Sequence, residues 1–258
     1  MNLYLKLEAP YEWARVNGQK VEAFGEVPSI AEFPVLEDDN LIGVVPGEWV
    51  TTQVVNLPAR TRKQFETALP YALEESIAQD VEELHFVCNN WSPSTDCVVH
   101  VIAREKMLEW QNLANQHRLP IQQLIPDHAL LPFHEASDSS LALVEDHIGD
   151  RLMAKQRSGQ SHSLDQNLID LWLLEIPVDS VVAVNDEELT KKLIEEYPSR
   201  DFRHWSFGSK IAHWLEYSPG ANVNLWGDKY RPRMRGLNTK VLLIPMLIFC
   251  ASIVVQLA

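Results

Sequence analysis

Residues 1–24 read MNLYLKLEAPYEWARVNGQKVEAF, and the alternation within this stretch sets the fold. Leu3, Leu5 and Leu7 fall on one face of an extended strand, with Tyr4 and Lys6 on the other, the period-2 pattern of a half-buried strand. Residues 13–16 supply a partner strand, Asn17-Gly18 a turn, and residues 21–24 a third strand. The chain therefore begins with an antiparallel hairpin whose first turn is Leu7-Glu8-Ala9-Pro10.

Downstream, residues 41–45 and 53–57 read as short strands closed by Pro46-Gly47 and Pro58. The period then changes. Phe65, Leu69, Leu73 and Ile77 recur every four residues as one helical stripe, and Pro70 either kinks this helix or starts a second one. Residues 84–88 and 97–103 are strands around a polar loop. Residues 104–118 form a helix with Met107, Leu108, Leu113 and Ala114 inward and Trp110 partly so, and residues 121–125 are a strand ending at Pro126. The second half restarts in the same way. Residues 141–144 and 151–155 make a hairpin, followed by a turn near Gly159, a helix over 164–174, a strand over 181–184, a helix over 187–197, a strand over 202–207 and a short helix over 209–217. Two α/β lobes, each led by a hairpin, are what a duplicated ribonuclease-H-like or actin-like architecture predicts. The expected divisions are a first lobe at 1–137, a second at 138–228, a basic linker at 229–240 and a membrane helix at 241–258.

That last segment, VLLIPMLIFCASIVVQLA, is apolar on every face. As a helix it covers about 27 Å, close to the roughly 30 Å of a hydrocarbon core. Lys229, Arg231, Arg233, Arg235 and Lys240 precede it without an intervening acid, so the positive-inside rule places residues 1–240 in the cytoplasm. Trp226 beside this run is a candidate for the headgroup level. No secretory leader is expected at the N-terminus. The chain reads either as tail-anchored or as the front part of a longer one.

The net charge of −14 is uneven: residues 1–228 hold all 36 acids against 17 of the 22 basic residues, a balance of −19. Such a surface repels nucleic acid and suits a basic protein partner. Glu74, Glu75, Glu82 and Glu83 form the densest acidic cluster, along one helix and its exit, and serve as candidate partner-binding residues. The three cysteines do not make a secreted disulfide framework. Cys88 and Cys97 read as two thiols near each other on paired strands.

Chemistry-bearing motifs are sparse. There are 10 glycines, no G-x-G and no phosphate loop of the G-x-x-x-x-G-K type, and neither hairpin turn has the Asp-x-Gly spacing that actin-like ATPases use. No cofactor is expected, and ATP binding is read as absent or lost. The nine histidines show no metal-ligand spacing and read as solvated or at the edge of the core. Gly159-Gln160-Ser161-His162-Ser163 lacks the final glycine of a nucleophile elbow. No catalytic set converges, so a non-enzymatic docking role is expected.

Residues 57–86, LPARTRKQFETALPYALEESIAQDVEELHF, resemble a stretch of the type II secretion system protein L family. The resemblance rests on Leu57-Pro58, the basic run 60–63, Leu69-Pro70-Tyr71, Glu74-Glu75 and Val81-Glu82-Glu83-Leu84-His85-Phe86. It continues over 96–132 with Met107, Trp110, Pro126-Asp127 and Leu131-Pro132, and again at Asn224-Leu225-Trp226-Gly227-Asp228-Lys229-Tyr230; between 133 and 220 it holds in layout alone. It implies an inner-membrane platform component of a bacterial secretion machine, actin-like in its cytoplasmic part. Such a component recruits the secretion ATPase through that protein's N-terminal domain. It also associates with protein M, with other inner-membrane platform proteins and with itself. The family's chain continues into a small ferredoxin-like periplasmic domain. Two other readings stay open: a membrane-tethered actin-like ATP-binding protein of the pilus-assembly type, and a tail-anchored enzyme.

Overall fold

The computed structural model describes residues 1–33, 39–146, 149–217 and 221–232. The membrane helix expected at 241–258, together with Arg233, Arg235 and Lys240, lies outside the described residues. Among the described residues no helix is long and apolar enough to cross a membrane.

The opening alternation becomes a three-stranded meander of β1 (Asn2–Lys6), β2 (Tyr11–Asn17) and β3 (Lys20–Val27). β4 (Asn40–Val45) then adds parallel to β1. Between β4 and β8 (Gln123–Pro126), which closes this first sheet in the order β3-β2-β1-β4-β8, the chain makes an excursion. It forms β5 (Val50–Val55), helix α1 (Arg62–Leu73), β6 (Leu84–Cys88), β7 (Cys97–Ala103) and helix α2 (Arg104–Gln116). Strands β5, β7 and β6 make a small antiparallel sheet that α1 covers with Phe65, Leu69 and Leu73. Thr61 caps α1 by accepting from the Gln64 amide, satisfying one of the free donors at its start.

The second half repeats the first. β9 (Ser139–Asp146), β10 (Gly149–Gln156) and β11 (Ser161–Leu164) form the meander. Helix α3 (Ile169–Glu175), β12 (Val181–Val184), helix α4 (Glu187–Glu196) and β13 (Asp201–His204) complete the second sheet in the order β11-β10-β9-β12-β13. Strand for strand this is the order of the first sheet, with the same antiparallel meander and the same two parallel additions. The duplication expected from the two hairpins is present, in a mixed α/β fold.

The two sheets share a core. Tyr4, Ile42, Val44 and Ile125 of the first pack with Ala142, Val144 and Met153 of the second, and helix α5 (Ile211–Tyr217) closes this core with Trp214 and Leu215. The chain then returns to the first sheet and ends its described course in a short helix, α6 (Gly227–Tyr230).

Several expectations give way. Helix α1 runs through Pro70 and stops at Leu73, so Ile77 lies beyond it; a proline in the last turn costs one amide donor where the helix is already ending. Leu108 is 48% exposed, while Trp110 is fully buried, because α2 rests on the sheet along the Met107, Trp110 and Ala114 line. The helix expected from 164 begins at Ile169, since Leu164 belongs to β11. Cys88 and Cys97 are not two thiols but a disulfide tying the end of β6 to the start of β7.

Candidate docking and coupling surfaces

Where the two halves meet, β10 sends two long cations across to the segment that follows β8. Arg151 donates through Nη2 to Asp127 Oδ2 (3.0 Å) and through Nη1 to Ser163 Oγ (3.0 Å), and its Nη1 lies 3.7 Å from the Glu48 carboxylate. Asp127 is 0% exposed, and its other oxygen accepts from the amides of Gly47 (2.8 Å) and His128 (2.7 Å). Lys155, four residues along β10 and on the same face, donates to the carbonyls of Ala129 (2.7 Å) and Leu131 (3.0 Å). Burial pulls the Lys155 ammonium down to about 8. Thr52 of the small sheet and Ser161 of β11 exchange a reciprocal pair of hydrogen bonds.

His100 and His128 fill the space beside these pairs. Both are buried, contrary to the expected solvated or core-edge position. Loss of water drives their pKa values down, to about 3 for His100 and about 4 for His128, so both are neutral rings packed as core. Gly47 is required by this packing: a Cβ there would stand 1.9 Å from His128 Cδ2. Around Asp127 and Arg151 the joint is therefore a charge-matched contact, and beside it a cavity of about 290 Å³ opens against His100, Ala129 and Lys155. Opening it would expose Asp127 and Arg151 separately.

A cavity of about 340 Å³ opens at the end of the second sheet, lined by Leu143, Glu145, Asp150, Asn185, Asp186, Gly208 and Ser209. Three of these are carboxylates, a field that disfavours a phosphate-bearing ligand. Asn185 is committed to structure there, accepting from the Leu143 amide and donating to the Gly208 carbonyl. Among the described residues no group of His, Cys, Asp or Glu is placed to hold a metal ion.

The four acids chosen from sequence lie on two exposed turns, both of which contact α1. Glu74 and Glu75 sit on a 3-10 turn directly after α1, and Glu82 and Glu83 on a second such turn leading into β6, so they follow the helix rather than lie along it. All four are exposed, and no ion pair engages them among the described residues. Tyr71, in the last turn of α1 just before Glu74, is 73% exposed.

Sequence reasoning missed how the stretch from 221 to 232 is held. It lies against β8 almost as a further strand. Leu225 N donates to Leu124 O (2.8 Å), Leu124 N donates to Asn224 Oδ1 (3.1 Å), and Gln123 Nε2 donates to the carbonyls of Ala221 (3.0 Å) and Val223 (2.5 Å). Leu225, Trp226 and Tyr230 are buried in the core formed by β1, β4 and α2. Trp226 thus serves as a core anchor, not a headgroup residue. His85 closes over the segment, with Nε2 2.9 Å from Leu225 O and its ring against Tyr230. Gln111 of α2 donates to Tyr230 O (2.8 Å). Lys229 and Arg231, the two members of the basic run within the described residues, remain exposed. The signal available beforehand was the Asn224-Leu225-Trp226 step, whose polar and apolar residues alternate in function along this seat.

Comparison with known proteins sets this geometry in context. A family model described as type II secretion system (T2SS), protein L, matches residues 3–204. Among curated relatives, a type II secretion system protein L from Klebsiella pneumoniae is 38% identical over 89 residues, 34% of this chain and 22% of the relative. One from Pectobacterium carotovorum is 26% identical over 155 residues, 60% of this chain and 35% of the relative. The matched part of the chain thus spans well under half the length of these relatives. Among solved structures, the cytoplasmic domain of EpsL, an inner membrane component of the type II secretion system of Vibrio cholerae, superposes with a TM-score of 0.68 at 17% identity, covering 89% of this chain and 99% of that one. The PilM-PilN type IV pilus biogenesis complex gives a TM-score of 0.54 at 12% identity, covering 84% and 97%.

Proposed function

The chain belongs to the type II secretion system protein L family, and from that premise we propose that it is the inner-membrane platform component that recruits the cytoplasmic secretion ATPase and couples it to the membrane assembly. The observation that carries this reading is the seat of the 221–232 segment. A domain whose task is to relay an attachment needs its outgoing chain fixed to its core, and Leu225, Trp226 and Tyr230 fix it. Beyond them the sequence runs through Arg233, Arg235 and Lys240 into the apolar residues 241–258, read as a single-pass helix with residues 1–240 on the cytoplasmic side. The divisions at 137, 228 and 240 belong to the same reading.

On this account the protein is a scaffold and not an enzyme. Its partners are the N-terminal domain of the secretion ATPase, protein M, other platform proteins and a second copy of itself. The exposed acids Glu74, Glu75, Glu82 and Glu83 steer the ATPase by charge, an effect felt mainly in the association rate. The buried Asp127–Arg151 joint favours a fixed platform over a cleft that opens and closes on nucleotide.

A second reading, a membrane-tethered actin-like ATP binder of the pilus-assembly type, draws on the fold likeness to the PilM-PilN complex. Calorimetry separates the two. The full chain in lipid nanodiscs is titrated with the N-terminal domain of the cognate ATPase, and separately with Mg-ATP. Saturable binding of the domain without heat from ATP supports the scaffold. Heat from ATP with no binding of the domain supports the second reading.

A further inference from the structure

The second half of the molecule carries an apolar face that no described element covers. Helix α3 buries Ile169, Trp172 and Leu173 against the second sheet. Its outward side repeats the chemistry of its inward one. Leu171 is 60% exposed and Leu174 is 80% exposed, with Leu168 (45%) and Val178 (56%) at the two ends. A surface helix ordinarily turns polar residues outward. A contiguous apolar patch on such a helix marks an interaction site. The face is also rigid: Arg200 donates to the carbonyls of Leu173, Ile176 and Pro177, pinning the end of α3, and the Tyr197 hydroxyl of α4 donates to Asp170.

Charge narrows the occupant. Asp165, Asp170, Glu175 and Asp179 lie exposed around the four apolar side chains, and the cation held against the end of α3, Arg200, is engaged with backbone carbonyls there. Anionic lipid headgroups are repelled by such a border. A second copy presenting the same face would set like charges opposite each other. What fits is an amphipathic protein helix whose apolar stripe is bordered by Lys and Arg.

We propose that the α3 face is the apolar centre of the ATPase contact and receives a basic amphipathic helix of the ATPase N-terminal domain. This rests on the scaffold reading above and reassigns the energetics within it. The carboxylates at 74–83 are exposed rim charges that guide approach, whereas desolvated apolar anchors hold a complex together.

The test uses the full chain in neutral phosphatidylcholine nanodiscs, titrated with the purified N-terminal domain of the cognate ATPase. The double variant Leu171→Lys/Leu174→Lys replaces exposed side chains with a good helix former, so the fold is retained. It is expected to weaken binding roughly tenfold or more. Leu171→Ala/Leu174→Ala is expected to weaken it less, in the same direction. Leu108→Lys, on the exposed side of α2 in the first half, is expected to bind as the wild type does. Wild-type affinity in the Leu171→Lys/Leu174→Lys variant, alongside normal binding by the unaltered chain, overturns the α3 assignment and leaves the scaffold reading standing. Failure of the unaltered chain to bind the domain overturns the scaffold reading, and the α3 proposal with it.

Discussion

Replacing Arg151 with methionine tests the claim that the two halves are locked. Methionine keeps most of the length and apolar stem of arginine and removes the guanidinium. Asp127, at 0% side-chain exposure, would retain its two amide donors but lose the only cation within 4 Å among the described ion pairs, and Glu48 would lose its partner at 3.7 Å. Stranding one member of a buried ion pair costs about 3–5 kcal/mol. In a domain of this size 1 kcal/mol moves Tm by about 2–4 °C, so the expected fall is about 6–20 °C. Thermal unfolding followed by far-UV circular dichroism at neutral pH reads it directly. Adding Asp127→Asn removes the stranded charge and should recover part of the loss, because most of the cost is the uncompensated carboxylate rather than the missing attraction. A single-variant drop below about 2 °C, or a double variant no better than the single, would refute the reasoning.

Three other outcomes follow from the same geometry. Trp226→Ala empties a fully buried site and should cost about 3–5 kcal/mol, seen as a lower Tm and as faster protease cleavage within residues 221–232. Gly47→Ala drives a methyl group into the His128 ring, 1.9 Å away, and should cost about 1–3 kcal/mol by overpacking, measured by urea titration. For pH, His100 and His128 have folded pKa values of about 3 and about 4, below the ordinary 6.5. Their neutral forms are therefore favoured by the fold, and the associated stability is complete above pH 6.5 and is lost as pH falls toward 4 and then 3. At about 1.4 kcal/mol per unit the total loss across that window comes to about 3 kcal/mol for His128 and about 5 kcal/mol for His100. His100→Gln/His128→Gln should flatten Tm against pH across that window.

Much of the fold could be read along the chain because its cues are local. Alternation at Leu3, Leu5 and Leu7 and the Asn17-Gly18 turn define the first meander, and the repeat of a hairpin near residue 141 exposes the duplication. Strand β11 escaped notice because Ser161-His162-Ser163-Leu164 is polar; it is extended through its pairing with β10 and its contact with Thr52, neither of which leaves a periodic trace. The orientation of Leu108 was misread because five apolar residues on α2 span more of the helix than the sheet can cover. The acidic cluster was visible as composition. The Asp127–Arg151 joint and the burial of Trp226 were not, since each joins residues whose proximity depends on tertiary packing, whereas the nearness of Cys88 and Cys97 was legible from the paired strands and only their bond was not. The α3 face was hidden for a related reason: Leu168, Leu171 and Leu174 look like core until the sheet is seen to use only Ile169, Trp172 and Leu173.

The return of residues 221–232 to β8 has a mechanical consequence. The second sheet is entered from the first half at Ser139, and after α5 the chain goes back to the first half before leaving through Arg231. Tension arriving from residue 233 onward would enter the molecule at Trp226 and Tyr230 and be borne by the first sheet and α2. The second sheet, with the α3 face upon it, sits outside that load path, so a pull on the chain beyond residue 232 would leave it unstretched.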